Sequence, residues 1–413
     1  MKVAVVGLGK IGLPLAVQYA SRGLSVAGYD IDAARVEAIN AGCCPIAGEE
    51  GLEDGLTAAL AAGTLRATTD AREAVAGADV VVLIVPIGLT PDRQPDFAHL
   101  DAAASAIAPH IRPQALVVVE TTVPVGTTRG RVGAALARTP LLAASPERVS
   151  SGSIFRDLCA YPKIIGPIDE ASWAKAEAFY QAALEAPVLI RVRDPETAEF
   201  VKLAEGIYRD ANIALASELA RYADSAGVDA AEAFAAANTQ PYAHLHQAGV
   251  GVGGHCLPVY PYFLPEDGTT HLPRLAREAN DAMARYGVDK LEAAMGSLRD
   301  KTVLILGLAY RPNVKESAYS SAFLIAEALA QRGARALVND PMFSNDEIRA
   351  LGLEPIESLP LPVDAIVVQA WHDAYRALDL GSFAGCRAVL DGRNALDRAV
   401  VEAAGMTYAG IGR

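Results

Sequence analysis

A glycine-dense loop that ends in a cysteine carries the side chain of this sequence best suited to covalent chemistry. Residues 249–258 read Gly-Val-Gly-Val-Gly-Gly-His-Cys-Leu-Pro, so a single thiol, Cys256, follows four glycines. Glycine adopts backbone turns closed to bulky residues and lets a ligand approach the main chain. Such a loop could present a thiolate nucleophile in the open. A cysteine packed as a small buried hydrophobe is the alternative that this stretch alone leaves open.

A second glycine cluster follows the apolar run at residues 2–6. Gly7, Gly9 and Gly12 have the spacing G-x-G-x-x-G and open a helical pattern. The first glycine permits the tight turn, the second lets the main chain meet a pyrophosphate, and the third allows close helix–sheet packing. The next strand ends at Asp30, eighteen residues after Gly12. Its carboxylate can bind the adenosine ribose hydroxyls and would repel a 2'-phosphate, so the unit predicts a site for NAD rather than NADP.

Further polar residues stand where predicted strands end. One apolar run ends at Pro86, and the next is followed directly by Thr121 and Thr122. A third run leads to Glu147. Apolar strands that alternate with helical stretches predict a parallel sheet covered on both faces, which binds ligands at the carboxyl ends of its strands. We therefore treat these residues as site candidates, although threonines after a strand often only form turns and a loop glutamate is often simply solvated.

The pattern becomes helical from residue 195 to residue 226, with apolar residues three and four apart. This is long for an ordinary globular helix and is typical of a connector between domains. Lys202 lies on it, one turn before Gly206, and is either a site cation or a solvated lysine. Beyond residue 300 the strand–turn–helix unit recurs without the later glycines, so we predict that it binds another ligand rather than a second NAD.

These units predict an α/β protein with two Rossmann-like, doubly wound domains joined by a long central helix and a helical domain. The NAD-binding domain is predicted to span residues 1–194. A central helical domain with the cysteine loop would follow at 195–298, and a C-terminal Rossmann-like domain at 299–413. A chain of 413 residues is too long for one hydrophobic core, which also favours several domains.

The composition excludes several classes of protein. Hydrophobic residues make up 52% and charged residues 21%, which excludes a disordered chain. The net charge of -13 argues against binding nucleic acid, although a local basic pocket could still bind a small anion. The five cysteines lack metal-ligand spacing, and no apolar run has membrane-spanning length. We therefore expect a cytoplasmic protein with reduced thiols, no metal site and no membrane contact.

Five motifs together resemble the UDP-glucose/GDP-mannose dehydrogenase family, the nucleotide-sugar 6-dehydrogenases, over essentially the whole chain. The motifs are Gly7-Leu8-Gly9-Lys10-Ile11-Gly12-Leu13-Pro14-Leu15-Ala16, Thr121-Thr122-Val123-Pro124-Val125-Gly126-Thr127, Ser145-Pro146-Glu147-Arg148, Gly251-Val252-Gly253-Gly254-His255-Cys256 and Asp391-Gly392-Arg393-Asn394. The form Ser-Pro-Glu-Arg of the third motif is similar to the branch that acts on UDP-N-acetylhexosamines.

The resemblance implies oxidation of the C6 alcohol of a nucleotide sugar to a carboxylate with two NAD. In that chemistry a cysteine thiolate adds to the intermediate aldehyde, the thiohemiacetal loses a second hydride, and the thioester is hydrolysed. Cys256 would be the nucleophile, and Lys202 would stabilise the oxyanions at C6. Glu147 would act in acid–base steps or thioester hydrolysis, and Thr122 would hold a site water.

Motifs and resemblance together give the candidate binding residues. For NAD they are Gly7, Gly9, Lys10, Ile11, Gly12, Asp30, Pro86 and Thr121. For the nucleotide sugar they are Arg148, Gly253, Tyr310 and Arg311. The guanidinium of Arg311 would supply positive charge for the diphosphate. The resemblance further implies a homodimer or larger homo-oligomer built through the central helices.

Three positions depart from the family pattern. Gly206 stands where the family usually has an asparagine that donates to the oxyanion, and Tyr260 stands where it usually has an aspartate. Ala318 replaces an expected arginine, with Lys315 nearby as a substitute. Losing one oxyanion donor can cost about 2.7–4 kcal/mol of transition-state stabilisation. Gly206 also opens space beside Lys202, and Tyr260 could fill space or donate a hydrogen bond.

Three functions therefore stay open. The leading one is C6 oxidation of a UDP-N-acetylhexosamine to a uronate. The second keeps the fold and NAD but changes the chemistry, either to a single two-electron oxidation or to an epimerisation in which bound NAD takes and returns a hydride. The third is a catalytically silent nucleotide-sugar binder.

Overall fold

The computed structural model describes residues 1–136 and 141–413. The chain forms two compact units. The first unit contains Met1–Glu205 with Tyr262–Pro265, and the second contains Gly206–Pro261 with Glu266–Arg413. The predicted division into three domains, with boundaries after residues 194 and 298, stays a prediction.

The first unit alternates strands with helices. Its strands are β1 (Lys2–Val6), β2 (Ser25–Tyr29), β3 (Leu65–Thr68), β4 (Val80–Leu83), β5 (Gly88–Leu89), β6 (Pro95–Asp96), β7 (Leu116–Val119), β8 (Leu141–Ala144), β9 (Lys163–Pro167) and β10 (Leu189–Arg191). Its helices are α1 (Gly12–Ser21), α2 (Ala33–Asn40), α3 (Leu52–Ala61), α4 (Ala71–Val75), α5 (Ala98–Ile107), α6 (Gly133–Leu136), α7 (Ile154–Ala160) and α8 (Glu170–Ala183). Short β5 and β6 pair only with each other.

The large sheet of the first unit has eight strands in the order β10-β9-β8-β7-β4-β1-β2-β3. The six strands from β8 to β3 pair in parallel. Strand β9 runs antiparallel to β8, and β10 runs parallel to β9, so one edge of the predicted parallel sheet is reversed. Because the chain leaves β1 in one direction towards β2 and in the other towards β4, the strand order switches at β1. Ligands bind at such a switch point, beyond the carboxyl ends of the strands.

Burial explains the composition of the central strands. Every residue of β4 and of β7 is buried, as are four of the five residues of β1. Parallel strands covered by helices on both faces read as continuous valine- and leucine-rich runs rather than alternating ones. The runs recognised in the sequence at residues 78–86 and 115–120 are these two strands with their flanking turns.

The second unit begins inside the longest helix, α9 (Pro195–Ala226), which matches the predicted helical stretch. The other helices are α10 (Ala230–Ala237), α11 (Leu272–Met295), α12 (Ser321–Gln331), α13 (Asn345–Ala350) and α14 (Arg398–Ala403). The strands are β11 (Thr302–Leu306), β12 (Arg335–Asn339), β13 (Ala365–Val368), β14 (Ala388–Asp391) and β15 (Thr407–Gly410). They form one parallel sheet in the order β12-β11-β13-β14-β15.

The predicted fold class is therefore confirmed: an α/β protein with two Rossmann-like sheets and one long central helix, although the sheet of the first unit is mixed rather than wholly parallel. In the part of the chain described here, no helix has both the length and the apolar character needed to cross a bilayer. Helix α9 is long enough, but its sequence contains many charged residues.

Candidate active site

Three glycines shape the turn after β1, each under a different constraint. Gly7 has a φ of +98°, and a Cβ there would lie 2.7 Å from the carbonyl oxygen of Ile84. A Cβ at Gly12 would lie 1.8 Å from the carbonyl oxygen of Gly7, so helix and turn meet too closely for any side chain. A Cβ at Gly9, by contrast, would have no heavy atom within 4 Å. Open space thus remains beside Gly9 near the N-terminus of α1, and this cradle fits a dinucleotide pyrophosphate.

Asp30 at the end of β2 is fixed beside the same turn. Its Oδ2 accepts the N–H of Leu8 at 2.8 Å, and its Oδ1 accepts the N–H of Asp32 at 3.0 Å. Nη1 of Arg35 lies 3.1 Å from Oδ2 and 3.2 Å from Oδ1. Asp30 is nearly fully buried. The carboxylate therefore orients the glycine turn, at the position predicted for ribose recognition.

The other predicted cofactor residues lie in the turns after β1, β4 and β7. The hydroxyl of Thr121 donates to the carbonyl oxygen of Val85 at 2.8 Å, which ties the ends of β7 and β4 together. Pro86 is exposed just beyond β4. In the glycine turn, Lys10 is exposed and Ile11 is half-buried. All of them lie on the carboxyl side of the sheet, where the fold predicts the ligand.

Glu147 lies in a buried ion pair just after β8. Its side chain is 8% exposed, and its Oε2 accepts from Nζ of Lys163 at 2.6 Å. Its Oε1 accepts the N–H of Arg148 at 2.7 Å. Burial opposes ionisation, but the charge and hydrogen bond of Lys163, the main-chain hydrogen bond and the charge of Lys202 together hold the pKa of Glu147 below its usual value. Glu147 is therefore a carboxylate at neutral pH.

The remaining predicted residues of the first unit are Lys202, Thr122 and Arg148. Lys202 is half-buried on α9, close enough for its charge to act on Glu147. Thr122 is half-buried beyond β7. Arg148 binds a protein carboxylate: its Nη2 lies 2.6 Å from Oε1 of Glu205, and its Nε lies 3.2 Å from Oε2. The first unit thus brings Glu147 and Lys202 together, while substrate binding by Arg148 stays a prediction.

The cysteine loop is anchored within the second unit. The N–H of Gly254 donates to the carbonyl oxygen of Ala318 at 2.8 Å. Nη1 of Arg393 donates to the carbonyl oxygen of Gly251 at 2.9 Å. Cys256 itself is exposed, which excludes the alternative of a packed, buried cysteine. A held main chain with an open thiol is the arrangement that nucleophilic catalysis needs.

Tyr310 and Arg311 meet the glycine part of this loop. A Cβ at Gly253 would lie 2.8 Å from Cβ of Tyr310, and a Cβ at Gly254 would lie 3.0 Å from the tyrosine ring. The Nε of Arg311 donates to the hydroxyl of Tyr310 at 3.0 Å. Three residues predicted to bind the nucleotide sugar, Gly253, Tyr310 and Arg311, are therefore neighbours, and their binding role stays a prediction.

Two of the three departures from the family pattern pack against each other. A Cβ at Gly206 on α9 would lie 2.7 Å from Cδ2 of Tyr260. Tyr260 is 8% exposed, and its N–H donates to the carbonyl oxygen of Cys256 at 2.9 Å. Of the two roles considered for Tyr260, filling space or donating a hydrogen bond, the structure shows its ring packed against Gly206. Because the ring takes the place of a side chain at position 206, the two departures form one coupled change.

The third departure, Ala318, lies in a segment that contacts the cysteine loop. Lys315, the suggested substitute for the arginine, pairs with Glu347, with Nζ 2.6 Å from Oε1. The N–H of Ala318 donates to Oε1 of Glu316 at 3.0 Å. Oε2 of the same glutamate lies 2.9 Å from Nε2 of His255, next to the cysteine. This segment therefore contacts the cysteine loop through its main chain and Glu316.

The sequence analysis did not identify two cationic side chains, the buried Lys163 and the half-buried Arg393. Lys163 begins the apolar strand β9, a position where lysine is usually solvated. Arg393 belongs to a recognised motif but had no assigned role, and its Nε donates to the carbonyl oxygen of Gln369 at 2.6 Å. The signal for both was a cation beside an apolar strand. Their partners are distant in sequence, so no local pattern identified them.

Comparisons with known proteins agree with this architecture. The model of the UDP-glucose/GDP-mannose dehydrogenase family, NAD binding domain, matches residues 1–184. The models of the central domain and the UDP binding domain of that family match residues 196–282 and 304–398. Together the three models account for most of the chain, in the order in which the two units present their elements.

Relatives match along the whole length. The UDP-N-acetyl-D-mannosamine dehydrogenase of Pyrococcus horikoshii is 33% identical over 429 residues, covering 100% of this chain and 99% of the relative. The NDP-N-acetyl-D-galactosaminuronic acid dehydrogenase of Ralstonia nicotianae is 34% identical over 410 residues, covering 95% of each. A solved UDP-glucose dehydrogenase of Pyrobaculum islandicum has a TM-score of 0.89 at 32% identity, covering 100% of this chain and 97% of that one. The chain therefore belongs to the UDP-glucose/GDP-mannose dehydrogenase family and is an NAD-dependent nucleotide-sugar dehydrogenase.

Proposed function

We propose that this protein oxidises C6 of a UDP-N-acetylhexosamine from alcohol to carboxylate, with two NAD per sugar, through a covalent bond to Cys256. The observation that carries the proposal is the exposed thiol at the end of a glycine loop whose main chain is held by Ala318 and Arg393. A thiolate presented in this way can add to an aldehyde carbon.

The four-electron oxidation divides into two hydride transfers with a covalent step between them. NAD bound at the glycine turn would supply the oxidant for both transfers, and in the first one the C6 alcohol would also lose its hydroxyl proton to solvent. Between the transfers the Cys256 thiolate attacks the aldehyde carbon, and the aldehyde oxygen becomes an oxyanion. The ammonium group of Lys202 would stabilise that charge. After the second hydride has left, the sugar is held as a thioester.

Hydrolysis of the thioester frees the product. A water whose position is set by the hydroxyl of Thr122 attacks the carbonyl carbon and gives one proton to Glu147. The C–S bond then breaks, which returns the Cys256 thiolate and releases the uronic acid, which ionises in solution. The carboxylate state of Glu147 supports this role, since only an ionised group can accept the proton.

The choice of sugar rests on motif form and relatives. The Ser-Pro-Glu-Arg motif at residues 145–148 is similar to the N-acetylhexosamine branch. Relatives that match along the whole length bear the names UDP-N-acetyl-D-mannosamine dehydrogenase and NDP-N-acetyl-D-galactosaminuronic acid dehydrogenase. Tyr310 and Arg311 add an aromatic face and a guanidinium group, which suit a nucleotide base and a diphosphate.

A second candidate function keeps NAD but changes the reaction to a single two-electron oxidation or an epimerisation. One observation favours it: the place of a side-chain donor at position 206 is taken by the ring of Tyr260. Weaker stabilisation of the thiohemiacetal oxyanion would favour release of the product before the second oxidation. A binder without catalysis would still bind UDP-sugar but would never reduce NAD.

Substitution of the nucleophile tests the proposal. Cys256→Ser keeps the size of the side chain but replaces the thiol by a much weaker nucleophile, so carboxylate formation should be lost while UDP-sugar binding persists. Cys159→Ser, at another exposed cysteine of the chain, is the matched control and should behave as wild type. Unchanged carboxylate formation by Cys256→Ser would rule out the covalent route.

We further propose that two copies of the chain associate through α9. Four large apolar side chains on this helix, Tyr208, Leu215, Leu219 and Tyr222, are 37–71% exposed. Their spacing of seven, four and three residues places them on one face. A continuous exposed apolar stripe of this kind marks a protein interface.

A reducing compartment such as the cytoplasm suits this enzyme. All five cysteines lie in the described part of the chain and are unpaired. Free thiols persist where glutathione and thioredoxin keep them reduced. The proposed nucleophile Cys256 needs the same condition, because a disulfide at its exposed sulfur would block addition to the aldehyde.

A further inference from the structure

Three charged side chains lie together beneath the carboxyl ends of β7 and β8. Nζ of Lys163 lies 2.6 Å from Oε2 of Glu147 and 3.3 Å from Oε2 of Glu120. The side chains of Lys163, Glu147 and Glu120 are 6%, 8% and 0% exposed. We refer to them as the buried trio. Charges this deep in a protein are expensive to retain unless each is paired, so their arrangement has to be explained.

Glu120 also accepts hydrogen bonds from residues outside the buried trio. Oε1 of Glu120 accepts the hydroxyl groups of Tyr180 at 2.5 Å and Tyr19 at 3.3 Å. These bonds hold Glu120 from the side away from the ion pair. Nζ of Lys163 also lies 5.0 Å from the ring centroid of Tyr180, a cation–π contact. Glu120 and the two tyrosines therefore form a rigid support for the ammonium group.

Glu147 also accepts hydrogen bonds from main-chain N–H groups outside the buried trio. Its Oε1 accepts the N–H groups of Arg148 at 2.7 Å and Val149 at 3.2 Å, in the loop after β8. Its other oxygen meets Lys163, and the charge of Lys202 on α9 also acts on it. Both oxygens are thus held, and the orientation of the carboxylate is fixed by the lysine on one side and the loop on the other.

The balance of charges shows what Lys163 contributes. Burial and the repulsion between two carboxylates both favour proton uptake by the trio, and burial raises the pKa of Glu120. The same burial would raise the pKa of Glu147, but the pair with Lys163 reverses the direction. Without the ammonium group, burial and the repulsion between the two carboxylates would both favour binding of a proton.

We propose that Lys163 is a positioning residue that holds the Glu147 carboxylate ionised and oriented for acid–base work, with Glu120 as the anchor that keeps the lysine in place. The inference rests on the proposed function, in which Glu147 accepts a proton during thioester hydrolysis. Lys163 itself touches no reacting atom. Its effect on the reaction passes through Glu147.

The test is a pH profile of kcat and KM for Lys163→Met, Lys163→Gln, Lys163→Arg and Glu147→Gln. In Lys163→Met the acidic limb of kcat should move to higher pH, because Glu147 loses the charge that keeps it ionised. At neutral pH kcat should fall by about 10²-fold or more, the scale of a lost general base, with little change in KM. Lys163→Arg keeps the charge and should restore the wild-type limb. The charged and titratable groups around Glu147 and Lys163 are Glu120, Lys202, Tyr19 and Tyr180.

A structural role alone would give a different pattern. If Lys163→Met lowers only the melting temperature and keeps the wild-type acidic limb, the inference is wrong. Should that variant fail to fold, Lys163→Gln decides, because it removes the charge but keeps a polar side chain at the same position: its acidic limb should move to higher pH, and a wild-type limb would overturn the inference.

Failure of the inference is distinguishable from failure of the proposed function. If the wild type reduces no NAD with any nucleotide sugar, the proposed function itself fails. If the wild type is active and Glu147→Gln is slow but Lys163→Met is not, only the role of Lys163 fails.

Discussion

The missing side chain at Gly206 decides where Tyr260 can lie. The tyrosine ring packs on the bare face of α9, and its main chain is hydrogen-bonded to Cys256. The contact therefore connects the helix to the turn that follows Cys256. A methyl group at position 206 would fall 2.7 Å from a ring carbon that is buried and cannot swing into solvent.

Gly206→Ala is therefore expected to destabilise the protein by about 1–3 kcal/mol, the usual penalty of overpacking, although alanine is the better helix former. Thermal unfolding measures the change. Gly130→Ala is the matched control, since a Cβ there meets no heavy atom within 4 Å, and it should be neutral or slightly stabilising. In a Tyr260→Ala background, Gly206→Ala should lose its penalty. A penalty of the same size with and without the tyrosine would contradict the coupling.

Individual residues also show what a sequence can and cannot predict about this site. Cys256 was identifiable because its glycine loop is a local pattern, and Asp30 because its distance from the glycines is fixed by one strand–helix–strand unit. Lys163 was not, because Glu147 lies 16 residues away and Glu120 lies 43 residues away in the sequence. Their approach depends on the pairing of β9 with β8, which no local pattern encodes.

The glycine turn appears in both units, with different constraints on its acid. Asp30 follows β2 and accepts one N–H of the first turn. Asp340 follows β12 and accepts two, from Leu308 and Ala309, both at 2.7 Å. It also lies 3.0 Å from the buried ring of His372. Both acids are thus engaged by the protein, so their hydrogen bonds do not distinguish the ligands of the two units.

The turn after β1 can be tested by two substitutions that differ only in position. Gly12→Ala places a methyl group 1.8 Å from a carbonyl oxygen and should destabilise the protein by about 3 kcal/mol or more. Gly9→Ala meets no protein atom within 4 Å and should keep the wild-type melting temperature. Its methyl group should instead weaken NAD binding at least about tenfold, or 1.4 kcal/mol.

Calorimetric unfolding and NAD titration separate the two effects. If Gly9→Ala bound NAD as the wild type does, the pyrophosphate would not lie over this glycine. If Gly12→Ala were as stable as the wild type, the close contact between α1 and the turn would be relieved by a backbone shift.

Larger elements were predictable where their pattern was continuous. Helix α9 has the span expected from apolar periodicity, and the central strands were recognisable as uninterrupted apolar runs. The reversed edge was missed, because β10 has three residues and an apolar run carries no information about strand direction. The first unit therefore has a mixed sheet where a parallel one was predicted.

At the scale of the whole molecule, the proposed association of two copies would account for the exposed apolar stripe on α9. Double substitution Leu215→Glu and Leu219→Glu should convert the protein to a monomer of 43.2 kDa, because two carboxylates would be buried without partners. Light scattering coupled to gel filtration measures the mass. Val400→Glu, at an exposed apolar residue on α14, is the control and should leave the assembly unchanged. A wild type that is already monomeric would contradict the proposed interface.

The most direct measurement is the yield of NADH per molecule of nucleotide sugar consumed, with the mass of the product. UDP-N-acetylmannosamine, UDP-N-acetylglucosamine, UDP-glucose and GDP-mannose form the panel. We predict two NADH and a carboxylate product from a UDP-N-acetylhexosamine, because Cys256 retains the intermediate aldehyde for the second oxidation. One NADH with a released aldehyde, or an isomer without net NADH, would contradict the account and would mean that the Gly206–Tyr260 change has redirected the chemistry.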